Sequence, residues 1–212
     1  VDLVAITCLI ANAPHAYEIA DRFRKRGTPV IMGGFHASAL PEEALEYADA
    51  VVIGEAEYVF PEIINDFKQG DLKRIYKSTK LHPLKDLPVP RYDLAEKDFI
   101  LTHSVQATRG CPFRCSFCSV MSLYPSLRVR PKEEVIRDIT RFQGRNYIQN
   151  KVLMFMDNNL IANKKYAKEL FSKMIPLKKW WWSQVSIDMA KDKELMRLAA
   201  ESGCKSVFIG IE

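Results

Sequence analysis

Ser104-Val105-Gln106-Ala107-Thr108-Arg109-Gly110-Cys111-Pro112-Phe113-Arg114-Cys115-Ser116-Phe117-Cys118 is the stretch from which the rest of the chain is read. Residues 104–108 predict a strand. Arg109-Gly110 then turns the chain into a loop with three cysteines spaced C-x3-C-x2-C. In a β/α unit, the loop at the C-terminal end of a strand is where sites are built. Three thiolates this close can wrap three corners of one iron–sulfur cluster, which usually takes four cysteines. One iron then lacks a protein ligand and is open to a small molecule, as a catalytic zinc keeps one open position.

Downstream of that loop, strand signals recur at 152–156, 181–187 and 206–211. Helices are predicted between them over 131–142, 164–175 and 192–202, each with an apolar face such as Val135, Ile136, Ile139 and Phe142. Four strands and three helices make part of a β/α barrel and cannot close one alone. The chain starts at Val1 inside an apolar run and stops at the end of a strand signal. It is therefore expected to be an excerpt of a longer protein.

Upstream, residues 1–70 alternate short apolar strands at 3–6, 29–32 and 50–53 with helical stripes that stop at Gly27 and Gly70. That alternation predicts an α/β fold with an open, doubly wound parallel sheet. Residues 71–103 hold Pro83, Pro88 and Pro90 and keep no period, the pattern of a linker. The expected organisation is a partial doubly wound sheet over 1–70, a linker over 71–103 and a partial (β/α) barrel over 104–212.

The 212 residues are 48% hydrophobic and 27% charged, enough apolar material for a real core. The net charge of +5 is scattered, not gathered into a stripe, which argues against nucleic acid. Five cysteines, three of them within eight residues, do not form a disulfide framework. They point to a metal site in a reducing compartment, the cytoplasm. No apolar run reaches the ~18 residues that span a bilayer, so no transmembrane segment is expected. No secretory signal peptide is seen.

C-x3-C-x2-C with an aromatic residue just before the last cysteine is the signature of the radical S-adenosylmethionine (SAM) enzymes. The chain resembles that family from about residue 99 to its end. The resemblance implies a [4Fe-4S] cluster on Cys111, Cys115 and Cys118, whose open iron chelates the amino and carboxylate groups of SAM. One electron, from a donor such as flavodoxin or ferredoxin, then cleaves the sulfonium to a 5′-deoxyadenosyl radical, chemistry that belongs to the cofactor. Phe117 matches the aromatic beside the adenine. Asp157-Asn158-Asn159 stands where the family binds the SAM amino group, which makes Asp157 and Asn158 candidates. Gln184 and Ser186 alternate along the third barrel strand, and Glu212 ends a stretch resembling the ribose-binding fourth-strand motif. A plain turn, with Asn159 or Asn163 as helix cap, accounts for the Asp-Asn-Asn stretch equally well.

The first 70 residues resemble the later part of the cobalamin-binding domain found before the barrel in one radical-SAM subgroup. The matching stretches are Met32-Gly33-Gly34-Phe35-His36-Ala37, Leu40-Pro41-Glu42-Glu43-Ala44 and Val51-Val52-Ile53-Gly54-Glu55-Ala56-Glu57. The resemblance implies that Thr7, Gly33, Gly34, Gly54 and Glu55 line the pocket for the cobalamin nucleotide tail. The Asp-x-His-x-x-Gly loop whose histidine can bind cobalt does not occur. His36 follows a different strand and reads as a capping or surface residue.

Together these resemblances imply a cobalamin-dependent methyltransferase acting on a small-molecule or lipid-like substrate. A radical cyclase with the same cofactors is the alternative enzyme. A non-catalytic cobalamin- or zinc-binding module is the alternative of another class, with Cys204 or His103 as a fourth zinc ligand. Cys8 and Cys204 otherwise read as small core residues. Trp180-Trp181-Trp182 reads as strand packing, with alternate rings on opposite faces.

Overall fold

Short apolar runs followed by helices lay down the first sheet. The computed structural model describes residues 1–94 and 103–211 and divides into two units, Val1–His82 and Pro83–Glu212. In the first unit the strands are β1 (Val4–Thr7), β2 (Val30–Gly33), β3 (Ala50–Ile53) and β4 (Ile75–Lys77). They pair in parallel in the order β1-β2-β3-β4. The helices between them are α1 (Ala13–Arg24), α2 (Phe35–Ala39), α3 (Pro41–Tyr47) and α4 (Phe60–Gln69). α1, α3 and α4 carry proline in their first turn, where a missing N–H costs no hydrogen bond.

Period-two alternation splits the strand residues between two cores. Val30, Met32 and Val51 pack with Ala16, Ala20, Ala37 and Ala44 from α1, α2 and α3. Ile31, Ala50 and Val52 pack with Ile63 of α4. The sheet is covered on both faces, as a parallel sheet must be.

β4 falls within residues 71–103, whose lack of a period predicts a linker, and joins the start of that stretch to the first sheet. Ile75–Lys77 pair with Val51–Ile53, and Tyr76 is buried with its hydroxyl donating to Asp66 at 2.9 Å. Three residues with one inward side chain are too few to show a period. Residues 95–102 of that stretch, like Glu212, lie outside the described residues.

The second unit holds a parallel sheet in the order β10-β9-β8-β5 and a two-stranded antiparallel ribbon, β6-β7. In chain order the elements are β5 (Ser104–Val105), β6 (Thr108–Arg109), α5 (Val120–Leu123), β7 (Arg128–Val129), α6 (Lys132–Arg141) and α7 (Tyr147–Lys151). They continue with β8 (Val152–Phe155), α8 (Lys164–Met174), β9 (Trp180–Gln184), α9 (Lys193–Glu201) and β10 (Cys204–Phe208). α6, α8 and α9 keep the predicted positions to within a residue or so, and the short α5 and α7 are additional. Asn163 caps α8 by accepting from the Tyr166 amide at 3.0 Å, and Asp192 caps α9 through Leu195.

The expected single strand over 104–108 is broken in two. β5 pairs with β8, and the ladder ends where the Met156 amide donates to the Val105 carbonyl at 2.9 Å. Beyond that point the Ala107 and Thr108 amides turn to a side chain, and Thr108–Arg109 pair with β7 instead of β8. The tryptophan run packs as expected. Trp181 is fully buried against Phe171 and Phe155, with its indole N–H donating to Ser202 at 3.0 Å. Trp180 points to the other face, beneath the Lys205 ammonium.

Candidate cluster and cofactor site

β5 and β6 deliver the chain to the cysteine loop, and after α5 the chain returns through β7, which pairs with β6. Gly110, at φ +86°, lies so close to the Ser126 carbonyl that a Cβ would collide with it. The loop beyond carries three free thiols, Cys111 half-buried and Cys115 and Cys118 exposed. Cys115 and Cys118 share a turn in which the Cys118 amide donates to the Cys115 carbonyl at 3.1 Å. Phe117 between them is 66% exposed. A cleft of about 360 Å³ opens beside the loop, lined by Arg114, Cys115, Met121 and Pro125. Among the described residues no three His, Cys, Asp or Glu side chains are already gathered around a metal position. The donor set fits an iron–sulfur cluster: three accessible, unpaired thiols on one loop, next to a cleft.

Asp157-Asn158-Asn159 lies just past β8, and each residue ties down a different segment. The Asp157 carboxylate is 2% exposed and accepts from the Ala107 amide at 3.1 Å, the Thr108 hydroxyl at 2.7 Å and the Thr108 amide. Burial pushes its pKa up to about 6, against the pull of those hydrogen bonds and of Arg130. Without that carboxylate three buried donors would lose their acceptor, at about 1–3 kcal/mol each. Asn158 accepts from the Gly110 amide at 3.3 Å. Asn159 is buried and bonds Ser186 twice, its amide donating to the hydroxyl at 3.1 Å and its carbonyl accepting from the main-chain N–H at 3.3 Å.

Sequence reasoning did not find Thr108, Arg130 or Asp138. Arg130 is buried, donates to the Gln106 carbonyl at 2.9 Å and pairs with Asp138 at 2.8 Å. No local pattern marks these residues, because each meets its partner only after folding. Gln184 is exposed at the end of β9, where its carbonyl accepts from the Leu160 amide at 3.1 Å. Glu212 cannot be placed, since it lies outside the described residues.

The candidates of the first unit sit at the C-terminal ends of its strands. Thr7 pairs with Gly33. Gly34, at φ +93°, approaches Cys8 so closely that a Cβ would stand 2.8 Å from the Cys8 carbonyl and 3.0 Å from the Thr7 methyl. Gly54 follows β3 and donates to the Ser38 hydroxyl at 3.0 Å. Glu55 is buried and accepts from the His82 amide at 3.1 Å. The structure thus brings Thr7, Gly33 and Gly34 together and turns Glu55 toward its own chain.

His36 is not a surface residue. It is buried, with Nε2 2.9 Å from the Tyr17 hydroxyl and 3.2 Å from Glu43. The Tyr17 hydroxyl also donates to Glu43 at 2.8 Å, and that bond, then the one from His36, holds the Glu43 carboxyl below the usual range. The correction arises because α1 and α3 cover the turn after β2, which sequence alone does not reveal. Cys8 is buried in the first core, and Cys204 packs against the second, where burial pushes its thiol up to about 11. Both behave as core residues.

Two family models match the chain, the B12 binding domain over residues 1–64 and the radical SAM superfamily over residues 105–212. The bacteriochlorophyllide d C-12(1)-methyltransferase of Chlorobaculum tepidum is 34% identical over the whole chain, which covers 48% of that protein. The bacteriochlorophyllide d C-8(2)-methyltransferase of the same organism is 33% identical over the whole chain, covering 50% of it. The chain spans about half the length of these curated relatives. Among solved structures, the radical SAM methyltransferase TsrM of Kitasatospora setae, with cobalamin and a [4Fe-4S] cluster bound, superposes with a TM-score of 0.73 at 17% identity. That match covers the whole chain and 48% of TsrM, and it establishes the fold: a Rossmann-like sheet followed by part of a barrel.

Proposed function

This chain belongs to the radical SAM superfamily and carries a B12-binding domain in front of the barrel, and on that premise we propose that the whole protein is a cobalamin-dependent radical methyltransferase. Residues 1–70 together with β4 serve the cobalamin half, the rest of residues 71–103 connects it, and residues 104–212 serve the SAM half. The observation that carries the reading is the loop of three free thiols at the C-terminal end of a barrel strand. The methyl acceptor is a small or lipid-like molecule, in keeping with the bacteriochlorophyllide d named for the two relatives.

Cys111, Cys115 and Cys118 hold the [4Fe-4S] cluster. When bound, cluster and SAM together supply one-electron cleavage of a sulfonium, and cobalamin supplies methyl transfer. The protein's own residues orient and exclude water. Phe117 offers an exposed ring for the adenine, as apolar aromatic faces do for bases. Asn158 and Gln184, at neighbouring strand ends, present polar groups to SAM, and Glu212 is assigned to its ribose hydroxyls. Thr7, Gly33 and Gly54 line the approach of the cobalamin tail to the main chain, Gly34 lets that turn close on Cys8, and Glu55 holds the wall behind them. Asp157 has both oxygens committed to the chain, so its part in SAM binding is indirect.

A flavodoxin- or ferredoxin-like protein delivers the electron, and the cytoplasm suits the free thiols. Among the described residues no helix is long and apolar enough to cross a membrane. Anaerobic reconstitution of the full-length protein with iron and sulfide tests the reading. The expected product is brown, holds about four irons per chain and cleaves SAM when reduced. A colourless protein with one tightly held zinc would refute it.

A further inference from the structure

We propose that Asp157 is a positioning residue for the cysteine loop, setting the direction in which the chain leaves β5 and so where Cys111 stands relative to the other strand ends. The proposal rests on the reading that this loop holds the cluster. The ladder between β5 and β8 ends at the bond from the Met156 amide to Val105. Just beyond it, the main-chain N–H groups of Ala107 and Thr108 turn to the Asp157 carboxylate, and the Thr108 hydroxyl joins them. Two oxygens receiving three donors fix both the position and the tilt of that short segment.

The same segment is held from two further directions. Arg130 donates to the Gln106 carbonyl through its guanidinium at 2.9 Å, and its main-chain N–H donates to Ala107 at 2.9 Å. Asn158, the neighbour of Asp157, takes the Gly110 amide. The main chain from 106 to 110 is therefore gripped by residues 130, 157 and 158, which arrive from different elements. Cys111 follows at once. An Asn at position 157 would keep the shape but turn an NH2 group toward donors, leaving at least one of them without an acceptor.

The test compares full-length wild type, D157N and T108V after anaerobic reconstitution with iron and sulfide. The D157N variant should keep the far-UV spectrum of the wild type yet hold less than half its iron. On reduction and addition of SAM, its electron paramagnetic resonance spectrum should differ from the wild-type one, a change that lost stability alone does not produce. Before reconstitution, the amides of Ala107 and Thr108 should exchange with deuterium about tenfold faster, as expected for loss of one good hydrogen bond. T108V, which loses only the hydroxyl, should fall between. Full iron content with the wild-type SAM-dependent spectrum in D157N overturns the proposal. If D157N does not fold, the same result in T108V overturns it. A wild-type protein that takes up no cluster refutes the functional reading itself, whereas equal uptake with an unchanged SAM-dependent spectrum in wild type and D157N refutes only the role given to Asp157.

Discussion

The two sheets end in opposite ways. In the first unit the strand ends are built largely on glycine main chain: a Cβ at Gly54 would meet nothing within 4 Å, while Gly34 lies against Cys8 with no room for a side chain. In the second unit the strand ends are crowded with polar side chains, and Asp157, Asn158 and Asn159 each bond a different segment. One site is shaped by removing atoms and the other by adding hydrogen bonds. The buried histidines repeat the contrast. His36 is met by Tyr17 and Glu43, while neither ring nitrogen of His103 has a hydrogen-bond partner among the described residues. A site made of backbone is damaged by added atoms, and one made of side chains by lost acceptors.

The largest effect expected is at the thiols. Cys111→Ala, Cys115→Ala or Cys118→Ala should each abolish the cluster, read as loss of iron and visible absorbance; a cluster retained in all three variants would mean that the ligands lie elsewhere. Next comes Gly34→Ala, which adds both a collision with Cys8 and a strained left-handed residue. It should cost about 3 kcal/mol of stability by urea unfolding and weaken cobalamin binding. A loss under about 0.5 kcal/mol would show that the first site is not shaped by close backbone approach.

His103 sharpens the contrast through pH. The ring is 2% exposed and stacked on Phe142, and burial, aided by the Lys179 charge, lowers its pKa from 6.5 to about 4. As pH falls below 6.5 the unfolded chain takes up the proton and the folded chain does not. Stability is therefore lost from about pH 6.5 down to about 4, at about 1.4 kcal/mol per pH unit. His103→Phe keeps the stacking and removes the proton. It should gain about 2 kcal/mol over wild type between pH 7.5 and pH 5 in urea unfolding; an identical pH dependence would show that His103 is partnered in solution. The smallest effect expected is Asn163→Ala, which removes the α8 cap for about 1 kcal/mol, read from the same unfolding curves.

Much of this was legible in the residues. The spacing of Cys111, Cys115 and Cys118 predicts one loop, and the structure places them on one. Apolar alternation predicts the parallel sheets, and Asn163 and Asp192 stand where helix starts need caps. The unbroken strand over 104–108 was misread because its amides go to Asp157, about fifty residues away in the chain. The short β4 lacks the length to show a period, and His36 reads in sequence as a capping or surface residue because nothing local signals Tyr17 and Glu43 beside it.

By itself the amino-acid order determined what depends on near neighbours: cysteine spacing, strand and helix period, proline starts and helix caps. Only the tertiary structure decided which carboxylate receives the amides of Ala107 and Thr108, which ring Trp181 packs against and what surrounds the two buried histidines. The physical reason is that parallel strands are joined by long crossovers. Their register, and every side-chain contact across it, is set by packing between segments that lie far apart along the chain.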